Sequence, residues 1–380
     1  MLQHVRRIVF SRSSFRSPRL LSLAAAALLA LPAAGAPAQG AQAFYPWSQV
    51  QNKCRNPPTE DGRMVCRQPI AQDKANDWGT TQNIFDHIVS TWRDAPQFLD
   101  RAFNDIALEE PRYQVSDMKG EYKLPIALAY LEAEFGIDWE ANLKKIRAWE
   151  AASPRSVYPY IVEASYWTKY AMNARGLYYP GQIRRETWLL MMDRLKNADA
   201  ALEKARGLDM VTPPWTAAKL RVLWLHDPRA AHTLWQQAIK KWPAYYPLYD
   251  NAFDMVMPRF GGNAEAMERI VRESVDNTRA TMGEAMYTRL YAHAAEDPDV
   301  DADLFTDTRA RWPEFKSGIA DLARIGSPLN PDYLMARFGC YAHDRGAVLE
   351  GLNKLHARGQ RPGWPGQMSG DACAAWAQRS

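Results

Sequence analysis

From residue 83 onward, apolar side chains recur at the three-and-four spacing of an amphipathic helix, with polar residues between them. Ile84, Ile88 and Trp92 set a first helix over 83–92. Pro96 opens a second, with Phe98, Ala102, Ile106 and Ala107 as its inner side. Residues 110–122 read as a polar connection. Residues 124–135 are helical up to Gly136, and Asp138 caps a helix through Leu143, Ile146 and Trp149 to Ser153-Pro154. The next stretch, 158–176, places Tyr160, Ala164, Trp167, Ala171 and Ala174 on one face, large beside small. Pro159 suits its first turn, and Arg175-Gly176 its end. A long helix follows with the stripe Trp188, Met192, Leu195, Ala198, Leu202 and Ala205.

Beyond it, Pro213-Pro214, Asp227-Pro228 and Trp242-Pro243 each restart the chain. They lead into helices carrying Leu220 and Leu223, then Leu234, Ala238 and Ile239, then Tyr249, Phe253 and Val256. The last stops at Met257-Pro258, and Asn263 caps a helix over 264–277. Further helices are predicted at 283–295, 303–311, 313–325, 331–342 and 346–357, with a short one near Cys373. Strand alternation is almost absent. Ala-Arg-Gly recurs at 174–176, 205–207 and 357–359, each time at a predicted helix end, and Trp-Pro recurs at 242 and 312. That 70-residue interval is about twice the period of a 34-residue helix pair. The expected fold is all-α: antiparallel helix pairs in a degenerate, tetratricopeptide-like solenoid. The alternative is a non-repetitive helical domain, since the full repeat consensus is missing.

Composition changes the picture at the N-terminus. Arg6, Arg7, Arg12, Arg16 and Arg19 precede an apolar run over 20–31 that is too short to span a bilayer, and Ala41-Gln42-Ala43 offers small residues for cleavage. Residues 1–43 therefore read as a signal peptide, with an uncleaved anchor as the rival, and the chain as periplasmic or secreted from a Gram-negative cell. Residues 44–75 read as an irregular, disulfide-tied segment, 76–358 as the helical-repeat domain and 359–380 as a Pro/Gly-rich arm. The whole chain has 47 Lys and Arg against 43 Asp and Glu. Without the five leader arginines the balance is 42 to 43, or −1. No overall footprint for nucleic acid or anionic lipid remains, and no further apolar run is long enough to span a membrane.

Four cysteines, Cys54, Cys66, Cys340 and Cys373, allow three pairings; the local solution is Cys54–Cys66 with Cys340–Cys373. A metal site lacks the close Cys or His pairs it needs, and no cofactor loop is present. The 14 Trp and 17 Tyr suit gaps between helices better than a stacking platform for sugar or peptide.

Catalytic constellations are weak. Ser116-Asp-Met-Lys119, Tyr249-Asp-Asn251 and Lys316-Ser-Gly318 occur in the order used by serine acyl-enzymes, yet no strand pattern surrounds the last. His226 and His232 stand six apart and cannot share a helix face, and no His-Glu-x-x-His or Gly-x-Ser-x-Gly is found. Carboxylate pairs such as Glu132 with Glu134, or Glu163 with Glu186, read as solvated faces. Three local groups stand out: Trp167, Asn173 and Arg175; Arg259, Gly261 and Gly262; and Tyr287 with Arg289. Each reads as structural before ligand-binding.

These groups resemble the signatures of an uncharacterised bacterial family known only as a domain of unknown function. Its pattern is an aromatic helix ending in Asn- or Trp-x-Ala-Arg-Gly, a Pro-Arg-Trp-Gly-Gly turn and a Met-Tyr-Ala-Arg-like helix. Here they read Asn173-Ala-Arg-Gly176, Pro258-Arg-Phe-Gly-Gly262 and Met286-Tyr-Thr-Arg289, with Phe260 and Thr288 departing. The resemblance spans about 150–295. It implies a tetratricopeptide-like fold and brings no activity. The expected function is a scaffold that binds an envelope protein or peptide, without nucleic acid, membrane span or cofactor. The alternative is a cell-wall glycan enzyme on a helical scaffold.

Overall fold

The computed structural model describes residues 81–379, apart from 110–111, 113–120, 177, 209–211, 298–299, 301–303, 328, 362 and 365–368. The expected signal peptide over 1–43, the 44–75 segment, Cys54, Cys66, Ser116 and Lys119 lie outside the described residues. The described residues fall within one compact unit, Asp77–Ser380.

The described chain is helical and carries no strand; an isolated antiparallel bridge joins Arg112 to Tyr122. The α-helices are α1 (Thr81–Asp94), α2 (Leu99–Asn104), α3 (Lys123–Phe135), α4 (Trp139–Ala152), α5 (Tyr158–Arg175), α6 (Arg185–Arg206), α7 (Pro213–His226) and α8 (Pro228–Lys241). They continue as α9 (Pro247–Met255), α10 (Ala264–Met282), α11 (Ala285–Ala294), α12 (Leu304–Asp307), α13 (Trp312–Arg324), α14 (Pro331–Tyr341), α15 (Arg345–Ala357) and α16 (Gly370–Gln378). Polar caps start many of them where the sequence placed them. Asp138 accepts from the Ala141 N–H at 2.9 Å, Asp227 from Ala230 at 3.1 Å and Asn263 from Ala266 at 2.9 Å. All three Ala-Arg-Gly repeats fall at helix ends, those of α5, α6 and α15.

Packing alternates as in a helical repeat. Successive helices pair, most extensively α5 with α6 and α14 with α15. Alternate helices also stack, α3 on α5, α5 on α7, α7 on α9, α9 on α11 and α11 on α13. One continuous apolar cluster runs from Leu220 through Trp235, Tyr249, Tyr287 and Phe315 to Cys373. Four indoles, Trp92, Trp149, Trp215 and Trp235, are wholly buried, as expected of ring-filled gaps between helices. Close approach is set by glycine where α13 meets α11: a Cβ on Gly318 would lie 2.2 Å from Thr288 Oγ1 and 2.4 Å from the Glu284 carbonyl. At the C-terminal end α16 returns onto α14 and α15, and Cys340–Cys373 ties it there, with Cα atoms 5.8 Å apart.

Several expectations need correction. Phe98 faces solvent, because Pro96–Phe98 forms a separate 3-10 turn that resets the phase before α2. The buried stripe of α6 begins at Met191, so Trp188 lies outside it and Met192 is only half-buried. On α5, Ala164 and Ala171 are buried, whereas Tyr160, Trp167 and Ala174 are partly exposed. Neighbours on several sides bury Tyr158, Ile161, Val162, Ser165 and Tyr166 instead. α10 runs on to Met282, and among the described residues 304–311 only α12 is α-helical.

Candidate functional site

The end of α5 carries the first signature group. Gly176 takes φ +68°, which suits glycine, and its N–H closes the last turn on the Met172 carbonyl at 3.0 Å. Arg175 precedes it and is only 6% exposed. Its Nη2 donates to the carbonyl of Arg259, and its guanidinium sits 5.0 Å from the Phe260 ring. Burial, with the nearby charge of Arg259, holds the Arg175 guanidinium below its ordinary pKa.

The Pro258–Phe260 turn is thus held from α5, across 84 positions of sequence. Its two glycines have different causes. Gly261 adopts φ +89° and lies against Pro180; Gly262 crosses so near Val256 that a Cβ would meet the carbonyl oxygen at 1.8 Å. Arg259 reaches Asp254 at 3.7 Å and Asp297 at 3.4 Å. Arg175 and the second signature group therefore form one interlocked corner.

The third group divides. Tyr287 is wholly buried in α11; its hydroxyl accepts from the Arg311 N–H at 2.8 Å, and burial pushes its pKa up to about 12. Arg289, one turn short of His293, leaves the core. It donates to Glu121 at 2.6 Å and to Asp250 at 3.2 Å, and covers the Tyr246 ring at 4.7 Å. Burial works against its charge, but Asp250 and Glu121 outweigh that and raise its pKa.

Arg289 belongs to a row of charges along the stacked alternate helices. Glu132 of α3 accepts from Arg221 of α7 at 2.8 Å, and Lys169 of α5 donates to the Glu132 carbonyl. Asp254 of α9 takes His293 of α11 at 2.5 Å. Arg337 of α14 binds Glu296 at 2.7 Å and the Ala295 carbonyl at 3.0 Å. Several members keep part of their surface in solvent: the side chains of Arg221 and Arg259 are each 33% exposed and that of Asp254 27%.

Trp167 and Asn173 lie elsewhere. Asn173 is exposed one turn from the end of α5. Trp167 is half-buried and donates to Glu163 Oε1 at 3.1 Å. Glu163 is buried, and Arg147 of α4 donates to it at 2.5 Å and to Glu150 at 2.9 Å. Lys204 of α6 stands 3.6 Å away. Burial, then hydrogen bonding to Glu163 and its charge, push the Glu150 carboxyl up to about 7. Two carboxyls and an indole do converge here, but inside the α4–α5–α6 contact. An open depression of about 310 Å³ is lined instead by Asp100, Asn104, Ser153, Arg155 and Ser156.

Sequence reasoning missed Glu150, Glu121, Asp254 and Asp297. Their partners stand up to 168 positions away, and no local pattern marks them. The acyl-enzyme order dissolves: Lys316-Ser-Gly318 lies within α13, where Lys316 pairs with Asp344 at 2.9 Å and Gly318 packs on α11. Glu186 is exposed on α6 and takes no part with Glu163.

Fold and corner together define an all-α protein of helical-repeat type. Residues 97–237 match a family described as a domain of unknown function, DUF4034, and over that span the chain is similar to it. The span includes Asn173-Ala-Arg-Gly176 and ends before Pro258 and Met286. No curated protein and no solved structure matches the chain.

Proposed function

We propose that the chain is exported and serves as a scaffold in the cell envelope, binding a protein or peptide segment along the stacked face of α3, α5, α7, α9 and α11. The observation that carries this reading is the row of both charge signs there: Lys169, Arg221, Asp254 and Arg259 keep part of their surface in solvent, and buried Glu132 holds the first two. Groups so placed can exchange an internal partner for the amides and charges of an extended segment, at modest cost because their rims are already wet. Glu163 is buried and its partners Glu150 and Trp167 are half-buried between packed helices, which supports the scaffold over the glycan enzyme, since that needs its carboxyls in a cleft.

A peptide array probed with the purified chain tests the proposal. Sequences of mixed charge should be retained, and Lys169→Gln with Arg221→Gln should weaken them roughly tenfold. Arg206→Gln, at the exposed end of α6 beside Glu203, should leave them unchanged. Retention unaffected by Lys169→Gln and Arg221→Gln would remove this face from the account.

A further inference from the structure

The start of α6 overhangs the fold. None of residues 185–190 is buried, and inward-facing contact begins only at Met191. Among the described residues, seven large apolar side chains are prominently exposed, and five of them fall between 178 and 190. They are Tyr178 at 61%, Tyr179 at 41%, Trp188 at 42%, Leu189 at 57% and Leu190 at 45%. Such a cluster is more than the scattered apolar exposure of an ordinary surface.

We infer that this overhanging end is a contact site for an anionic lipid surface. Two features select that occupant. The first is direction. Consecutive helical side chains point about 100° apart, so Trp188, Leu189 and Leu190 sweep roughly 200° around the axis. A flat protein partner covers one side of a helix and would leave part of that sweep in water. A fluid interface closes around a protruding end and takes all three, with leucines in the acyl boundary and the Trp and Tyr rings at headgroup depth.

The second feature is charge. Arg184 and Arg185 stand exposed at the base of the overhang, and neither is paired with a described residue. Glu186 is the one acid beside them. Two free guanidiniums next to an apolar tip complement lipid phosphates. The near-neutral balance of the whole chain gives no general attraction to a membrane, so the contact is local. It is also peripheral, since no described helix is long and apolar enough to cross a membrane. The site is separate from the charge row proposed for peptide binding.

Vesicle co-sedimentation of the full chain tests it, with phosphatidylcholine vesicles and the same vesicles carrying phosphatidylglycerol. The chain should pellet with the anionic vesicles and release as salt rises. Trp188→Ser with Leu189→Ser should cut the bound fraction about tenfold or more. Arg184→Gln with Arg185→Gln should remove the preference for phosphatidylglycerol. All four side chains are exposed, so melting curves should not change and loss of binding is not loss of fold. A chain that stays in the supernatant with both vesicles, or variants that bind like the original, overturns the proposal. So does light scattering that shows a dimer which Trp188→Ser with Leu189→Ser turns into a monomer, for then a second copy is the occupant.

Discussion

Glu150 carries a distinct pH dependence at the scale of single residues. Its ordinary pKa of 4.5 rises to about 7 in the fold, by burial and by Glu163 beside it. Between those values the folded chain holds a proton that the unfolded chain has released. Stability from this group is therefore greatest below about pH 4.5, falls as pH rises toward 7, and is level above it. The full shift corresponds to about 3 kcal/mol, which solvent screening at this half-buried group reduces. Glu150→Gln should abolish that decline and melt higher than the original chain at pH 8, as read by circular dichroism. Asp344 works in the opposite sense. Its carboxylate is held down to about 2 by Lys316, by the Ala347 N–H it caps and by the Trp312 indole. Its contribution is present above the ordinary 3.8 and fades as acid approaches 2. Asp344→Ala should cost about 1–2 kcal/mol at neutral pH in urea titration.

For the elements, glycine separates strict positions from permissive ones. Gly262 lies where a Cβ would overlap the Val256 carbonyl, whereas a Cβ on Gly136 would meet nothing within 4 Å. Gly262→Ala should displace the turn after α9 and lower stability by roughly 2 kcal/mol or more; Gly136→Ala should be nearly neutral. Helix existence was readable because caps and prolines act locally: Asp138, Asp227, Asn263 and Pro213 stand where their helices begin. Facing was harder. Periodicity gives a stripe but not its phase against neighbours, so Trp188 and Phe98 were assigned to cores they do not enter. α5 shows why: it is packed on so many sides that its apolar pattern has almost no preferred direction.

For the whole molecule, local sequence made the helical class legible and left the long-range pairs unseen. Nothing near Arg175 announces the Arg259 carbonyl, and nothing near Arg289 announces Glu121; the fold alone brings them together. The Cys340–Cys373 bridge was anticipated because it spans only 33 positions. By loop-closure entropy a bridge of that length contributes about 3–4 kcal/mol. Reduction, or Cys340→Ala with Cys373→Ala, should lower the urea midpoint and raise amide exchange first in α16.

The decisive test concerns Arg175, since the account holds that the signature residues serve architecture by locking α5 to the Pro258–Phe260 turn. Equilibrium urea unfolding of Arg175→Ala should show a lower midpoint, with a loss of about 2–3 kcal/mol from the stranded Arg259 carbonyl and the uncovered Phe260 ring. An unchanged midpoint would contradict it, and would mean that Arg175 is held in the fold for something other than the fold itself.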